Sequence, residues 1–145
     1  MKKEMLLFGL VSLILFISGC SSTATGNAIA ETDFVKIPLS DLSSTAQFYE
    51  YDAGGVRISY FAVLGSDGQP RVAFDACDVC GGSKGYQQKG SDIECRNCGR
   101  VFSIDGLGTK NKGYGCWPSY LPAEVSDGIV FIKISDIRAG KSRFV

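Results

Sequence analysis

Histidine is absent from the 145-residue chain. Its absence removes the commonest general base, the Ser-His and Cys-His nucleophile pairs, and every metal site that needs an imidazole. Hydrolytic catalysis by those routes is excluded, and a redox carrier or a binding domain is expected in place of an enzyme. Net charge is absent as well, since 15 Lys and Arg balance 15 Asp and Glu. With no surplus of either sign, no chain-wide field attracts nucleic acid or an anionic surface, so nucleic acid is not expected as a partner. Beyond the first 33 residues no stretch carries apolar residues at convincing helical spacing, which argues against a helical domain.

What the chain has is cysteine: six in all, five of them between Cys77 and Cys116. Cys77 to Cys98 reads C-D-V-C-G-G-S-K-G-Y-Q-Q-K-G-S-D-I-E-C-R-N-C, two C-x-x-C pairs separated by residues 81–94. Each pair aims two sulfurs at one point, and a hairpin that brings the pairs together offers a tetrahedral site of Cys77, Cys80, Cys95 and Cys98. Gly81 and Gly99 follow the pairs. Glycine allows positive φ there, and the backbone N–H groups beyond Cys80 and Cys98 are expected to turn toward the sulfurs. Three chemistries fit four such thiols: structural zinc, an iron centre, or two disulfides.

The leader points outside the cytoplasm. Residues 1–19 comprise M-K-K-E, the apolar run Met5 to Ile17, and Ser18-Gly19 ahead of Cys20. A run of this length covers only about 20 Å as a helix, against a hydrocarbon core of about 30 Å, so an export signal is a better reading than a permanent span. I-S-G-C resembles the lipobox of bacterial and archaeal lipoproteins. That resemblance implies cleavage before Cys20, lipidation of its sulfur, and a lipid-anchored protein on the extracytoplasmic face of the cell membrane. Residues 20–33, rich in Ser, Thr, Ala and Gly, read as a flexible tether.

Residues 34–145 read as one all-β domain, a small antiparallel barrel or sandwich with the two Cys loops at one end. Phe34 to Leu39 is a strand that Pro38 assigns to an edge. Gln47 to Tyr51, Val56 to Leu64 and Arg71 to Asp75 follow, joined by turns at Asp52-Ala53-Gly54-Gly55 and Ser66-Asp67-Gly68. Ser91 to Glu94 enters the second Cys pair and Arg100 to Ile104 leaves it. Leu107 to Pro122 is a long loop carrying Cys116 and Trp117. Ala123 to Ser126 and Ile129 to Ile134, joined at Asp127-Gly128, make a last hairpin before a polar tail.

C-R-N-C-G-R-V-F-S-I-D-G, Cys95 to Gly106, is similar to the second box of the Rieske iron-sulfur domain, and the order of strands and loops is Rieske-like. A Rieske cluster needs two histidines, however, and Cys80 and Cys98 stand in their places. The chain more closely resembles the FtrD-like family of membrane iron-sulfur proteins, often encoded beside ferrous-iron uptake permeases. V-A-F-D-A-C-D-V-C (Val72 to Cys80), K-G-Y (Lys84 to Tyr86), C-R-N-C-G-R-V-F (Cys95 to Phe102) and G-C-W-P (Gly115 to Pro118) carry the match, over roughly residues 45 to 125. The resemblance implies an iron-sulfur cluster or mononuclear iron on the four thiolates, with zinc as the alternative. It also implies electron transfer to a membrane redox or iron-transport partner. Tyr86 and Trp117 would shield the site, whereas Phe74 and Phe102, in strand patterns, read as core. Lys84 and Arg96 read as solvated surface. In a Rieske-like layout the Pro118 loop covers the metal end, so Cys116 is expected beside the site as a tuning thiol or extra ligand that the metal does not require.

Overall fold

The computed structural model describes residues 33–82, 84–113 and 115–145. The leader, the tether to Thr32 and the lipidation candidate Cys20 lie outside the described residues. Within them the chain is all-β, with ten strands in three antiparallel sheets and one short helix.

β1 (Phe34–Pro38) pairs with β10 (Ile129–Lys133), which pairs with β9 (Glu124–Ser126). Pro38 has no N–H to give, and β1 is an edge strand as its sequence requires. β9 and β10 are joined at Asp127 and Gly128, whose φ values of 50° and 74° form the left-handed pair that a two-residue hairpin needs. The central sheet runs β2 (Gln47–Asp52), β3 (Arg57–Leu64), β4 (Pro70–Cys77), β8 (Pro118–Tyr120). The third sheet is a small meander of β5 (Tyr86–Lys89), β6 (Asp92–Cys95) and β7 (Val101–Ser103).

The alternation of side chains along β3 and β4 explains the layering. Ile58, Tyr60 and Ala62 of β3 and Val72, Phe74 and Ala76 of β4 join Ile37, Val130, Ile132 and Ile137 in one core. Phe61 and Val63 of β3 and Ala73 and Cys77 of β4 face the other way, into a second core with Tyr86, Ile93, Cys95 and Phe102. The central sheet is therefore covered on both faces, which is why β3 reads as a nearly unbroken apolar run. The sheets stack as a sandwich and do not close into a barrel, since β2 and β8 remain sheet edges.

Three segments differ from the sequence reading, the first being β5, a strand over Tyr86–Lys89 where none was assigned. Residues past Lys133 form a helix, α1 (Ile134–Ala139), where a polar tail was expected. One turn and a half gives too short a window for periodicity to register, yet Ile137 is fully buried and Phe144 packs on Phe74. Gly140 is needed at the end of α1 because a Cβ there would run into the Phe74 ring. Within the long loop, Pro118–Tyr120 is a strand on β4, with Ala73 opposite Tyr120 and Cys77 opposite Pro118.

Candidate metal centre

β4 ends on Cys77 and β6 ends on Cys95, so the first thiol of each pair is delivered by a strand and is buried, 1% and 0% exposed. The chain then turns tightly. The N–H of Gly81 donates to the Cys77 carbonyl at 2.9 Å and that of Gly99 to the Cys95 carbonyl at 2.8 Å. Gly81 and Gly99 hold φ of 70° and 73°, which accounts for glycine after each pair. These two N–H groups therefore close the turns on carbonyl oxygens, not on sulfur as the sequence suggested. The Val79 N–H does reach a sulfur, donating to Cys77 Sγ at 3.4 Å.

The third thiol-bearing segment is held by the first. The Asp78 N–H donates to the Trp117 carbonyl at 3.0 Å. The Asp78 carboxylate accepts from Ser119 Oγ at 2.7 Å and from Asn111 Nδ2 at 3.2 Å, and Asn111 also donates to the Gly115 carbonyl at 3.1 Å. The Trp117 ring meets Phe102 edge-on at 5.4 Å, and its Nε1–H donates to the Thr109 carbonyl. Cys116 is thus fixed over the two knuckles by residues on both sides. A carboxylate inside a C-x-x-C loop carries no sequence signal for this role, and Asp78 was not singled out.

The sulfurs of Cys77, Cys80, Cys95 and Cys116 all lie within 4.8 Å of one another. A metal ion bonded to four sulfurs at about 2.3 Å separates them by about 3.8 Å, so this quartet needs only a small contraction to hold one ion. The spacing-based quartet had Cys98 where this one has Cys116. Cys98 is exposed, with its sulfur 3.5 Å from that of Cys116. All five thiols therefore converge, one more than a tetrahedral ion accepts.

Their electrostatics fit a thiolate site. Burial opposes ionisation of Cys77, but the Cys116 thiol and the N–H groups of Cys80, Val79 and Trp117 outweigh it, and the Cys77 pKa falls to about 7. Burial and the neighbouring Cys77 and Cys98 sulfurs push Cys80 up to about 12. Burial raises Cys116 in the same way, with Cys77 and Cys98 adding to it. Cys98 is lowered, chiefly by the Arg100 N–H, with Cys116 assisting. Without a cation at the centre only some of these thiols can ionise, because each thiolate disfavours the next. A divalent ion removes that conflict.

Tyr86 pairs with Cys95 across β5 and β6, with its ring between Phe61 and Phe102. Its hydroxyl is buried and has no hydrogen-bond partner, an arrangement that costs about 1–3 kcal/mol. Burial and the adjacent Cys77, Cys116 and Cys95 sulfurs raise its pKa. Tyr86 and Trp117, expected as shields, pack with the thiols, and Phe102, read as core, lies in the same sulfur-bearing core, whereas Phe74 belongs to the opposite one. Phe61 itself was missed because its run alternates into both cores. On the remaining side, an open cleft of about 690 Å³ reaches Cys80, with Lys84 and Arg143 among its walls.

A family model described as "Membrane iron-sulfur containing protein FtrD-like" matches residues 39–144. The chain belongs to the FtrD-like family. No curated protein matches it. The family is described as membrane-associated. Among the described residues no helix is long and apolar enough to cross a membrane, and the apolar run Met5 to Ile17 lies outside them. Family and geometry together point to metal binding at the cysteine cluster.

Proposed function

We propose that this FtrD-like domain is a one-electron carrier of the extracytoplasmic membrane surface, tethered through lipid on Cys20 and serving iron uptake or a related membrane redox system. The supporting observation is the mutual approach of the Cys77, Cys80, Cys95 and Cys116 sulfurs within 4.8 Å. Such compactness suits one ion better than a two-iron cluster, whose second metal would spread the ligands of opposite ends apart. Iron in that setting supplies a reversible one-electron change, which zinc does not.

The chain's own residues would set the conditions for that change. Cys77 and Cys95, sealed by Phe61, Phe102 and Tyr86, keep water from the inner half of the site. The rigid knuckles limit the rearrangement that accompanies electron transfer. N–H groups directed at sulfur, such as that of Val79, offset thiolate charge and raise the potential. Exposed Cys98 and half-buried Cys80 mark the side from which a redox partner approaches.

Purified anaerobically, the protein should absorb in the visible through sulfur-to-iron charge transfer, bleach reversibly with one electron, and lose both properties in Cys95→Ser. A colourless protein that retains stoichiometric zinc, and takes up no iron in exchange, would replace the carrier with a zinc-stabilised binding domain.

A further inference from the structure

From the buried, unpartnered hydroxyl beside the sulfur cluster, we infer that Tyr86 donates a hydrogen bond to the Cys77 sulfur when that sulfur is a metal-bound thiolate, and so tunes the electron density of the centre. This inference rests on the metal-site reading above and assigns a positioning and tuning residue to it.

Tyr86 is 2% exposed, and its hydroxyl oxygen finds no partner among the described residues. A phenol that only fills space would be Phe, as Phe61 and Phe102 are on either side of it. The ring cannot swing away to solvate the oxygen. It is wedged between those two aromatics, and the Tyr86 backbone N–H is committed to the Asp75 carboxylate at 2.5 Å. The sulfurs of Cys77, Cys95 and Cys116 lie in the core against which the hydroxyl is sealed, and Cys77 is the one that acts on it most strongly. A neutral thiol is a weak acceptor, whereas a thiolate accepts strongly and makes a charge-assisted bond. The orphan hydroxyl is therefore satisfied in the loaded site and not in a thiol site. Cys77 Sγ already accepts the Val79 N–H at 3.4 Å. A further donor lowers the electron density on that sulfur.

Cobalt(II) loaded into the full chain provides a readout that does not depend on the native metal, through sulfur-to-cobalt charge-transfer bands. Removing the donor in Tyr86→Phe should move those bands to lower energy, because the sulfur lone pairs rise, and should lower the midpoint potential of the iron form. Phe61→Leu, which disturbs the same packing but removes no hydroxyl, should leave the bands in place. If Tyr86→Phe does not fold, uniform 3-fluorotyrosine in the unmutated chain supplies a stronger donor and should move the bands the opposite way. Bands unmoved by both changes, or moved equally by Phe61→Leu, would overturn the role of Tyr86 and leave the metal site standing. No charge-transfer band in the unmutated chain would overturn the metal site and this inference together.

Discussion

At the residue scale, the two C-x-x-C pairs are not equivalent to four equal ligands. The first Cys of each pair ends a strand and is buried, whereas the second is carried outward by the turn that follows. Cys80 still reaches the centre, but Cys98 is displaced toward solvent and Cys116 enters the compact quartet from above. Cys116→Ser is therefore expected to lose as much metal as Cys95→Ser, while Cys98→Ser retains most of it and releases it faster to a chelator. Metal content after anaerobic purification decides between these assignments. Retention by Cys116→Ser with loss in Cys98→Ser would restore the assignment that spacing alone gives. The four paired thiols were legible in the sequence because C-x-x-C-G is a local geometry. The close approach of the Cys116 sulfur was not, since it depends on Asp78, Ser119 and Asn111 fixing a loop far along the chain.

At the scale of elements, the joint between β4 and β5 matters most for the site, and Asp75 is its centre. Its alternation with Ala73 and Cys77 turns the carboxylate toward the metal-bearing meander. There it accepts the Tyr86 N–H at 2.5 Å and Ser59 Oγ at 3.3 Å, and a Cβ on Gly85 would collide with it. Burial raises the Asp75 pKa, and the Tyr86 N–H, Ser59 and Arg96 only partly oppose it. A native carboxyl that holds its proton more tightly than the unfolded chain does makes stability fall as pH rises. That fall starts near the ordinary carboxylate value of about 3.9 and ends above the raised native value. The stability difference between the unmutated chain and Asp75→Asn should consequently shift against the unmutated chain over that interval and stay constant above it. Denaturant melts of both proteins from acid to neutral pH measure this. A difference independent of pH, or one that grows in favour of Asp75 as pH rises, would contradict it. Strands β3 and β4 and their turn were readable from β-branched runs and Gly-containing turns, whereas β5 and, above all, β8 were not. Three residues beginning with proline leave no pattern, and pairing with β4 alone makes them a strand.

At the scale of the whole molecule, the chain builds two cores on one sheet and reserves the second for sulfur. The all-β class and the edge position of β1 followed from alternation and from Pro38, but closure into a barrel did not, because nothing local records how sheets stack. Helix α1 belongs to the same category. Its single buried Ile137 is meaningful only against the core it completes. The stacking leaves one end of the molecule for the three Cys-bearing loops and joins that end to the central sheet through Asp105, which accepts the Ser66 N–H at 2.7 Å and Ser66 Oγ at 2.8 Å. A scaffold braced in this way suits a centre that changes charge without changing shape. The most direct test of that account is the count of iron, zinc and acid-labile sulfide per chain in anaerobically purified protein. One iron with no labile sulfide is the expected result. Stoichiometric zinc without iron, or two irons with two sulfides, would contradict the single thiolate-held iron on which the account rests.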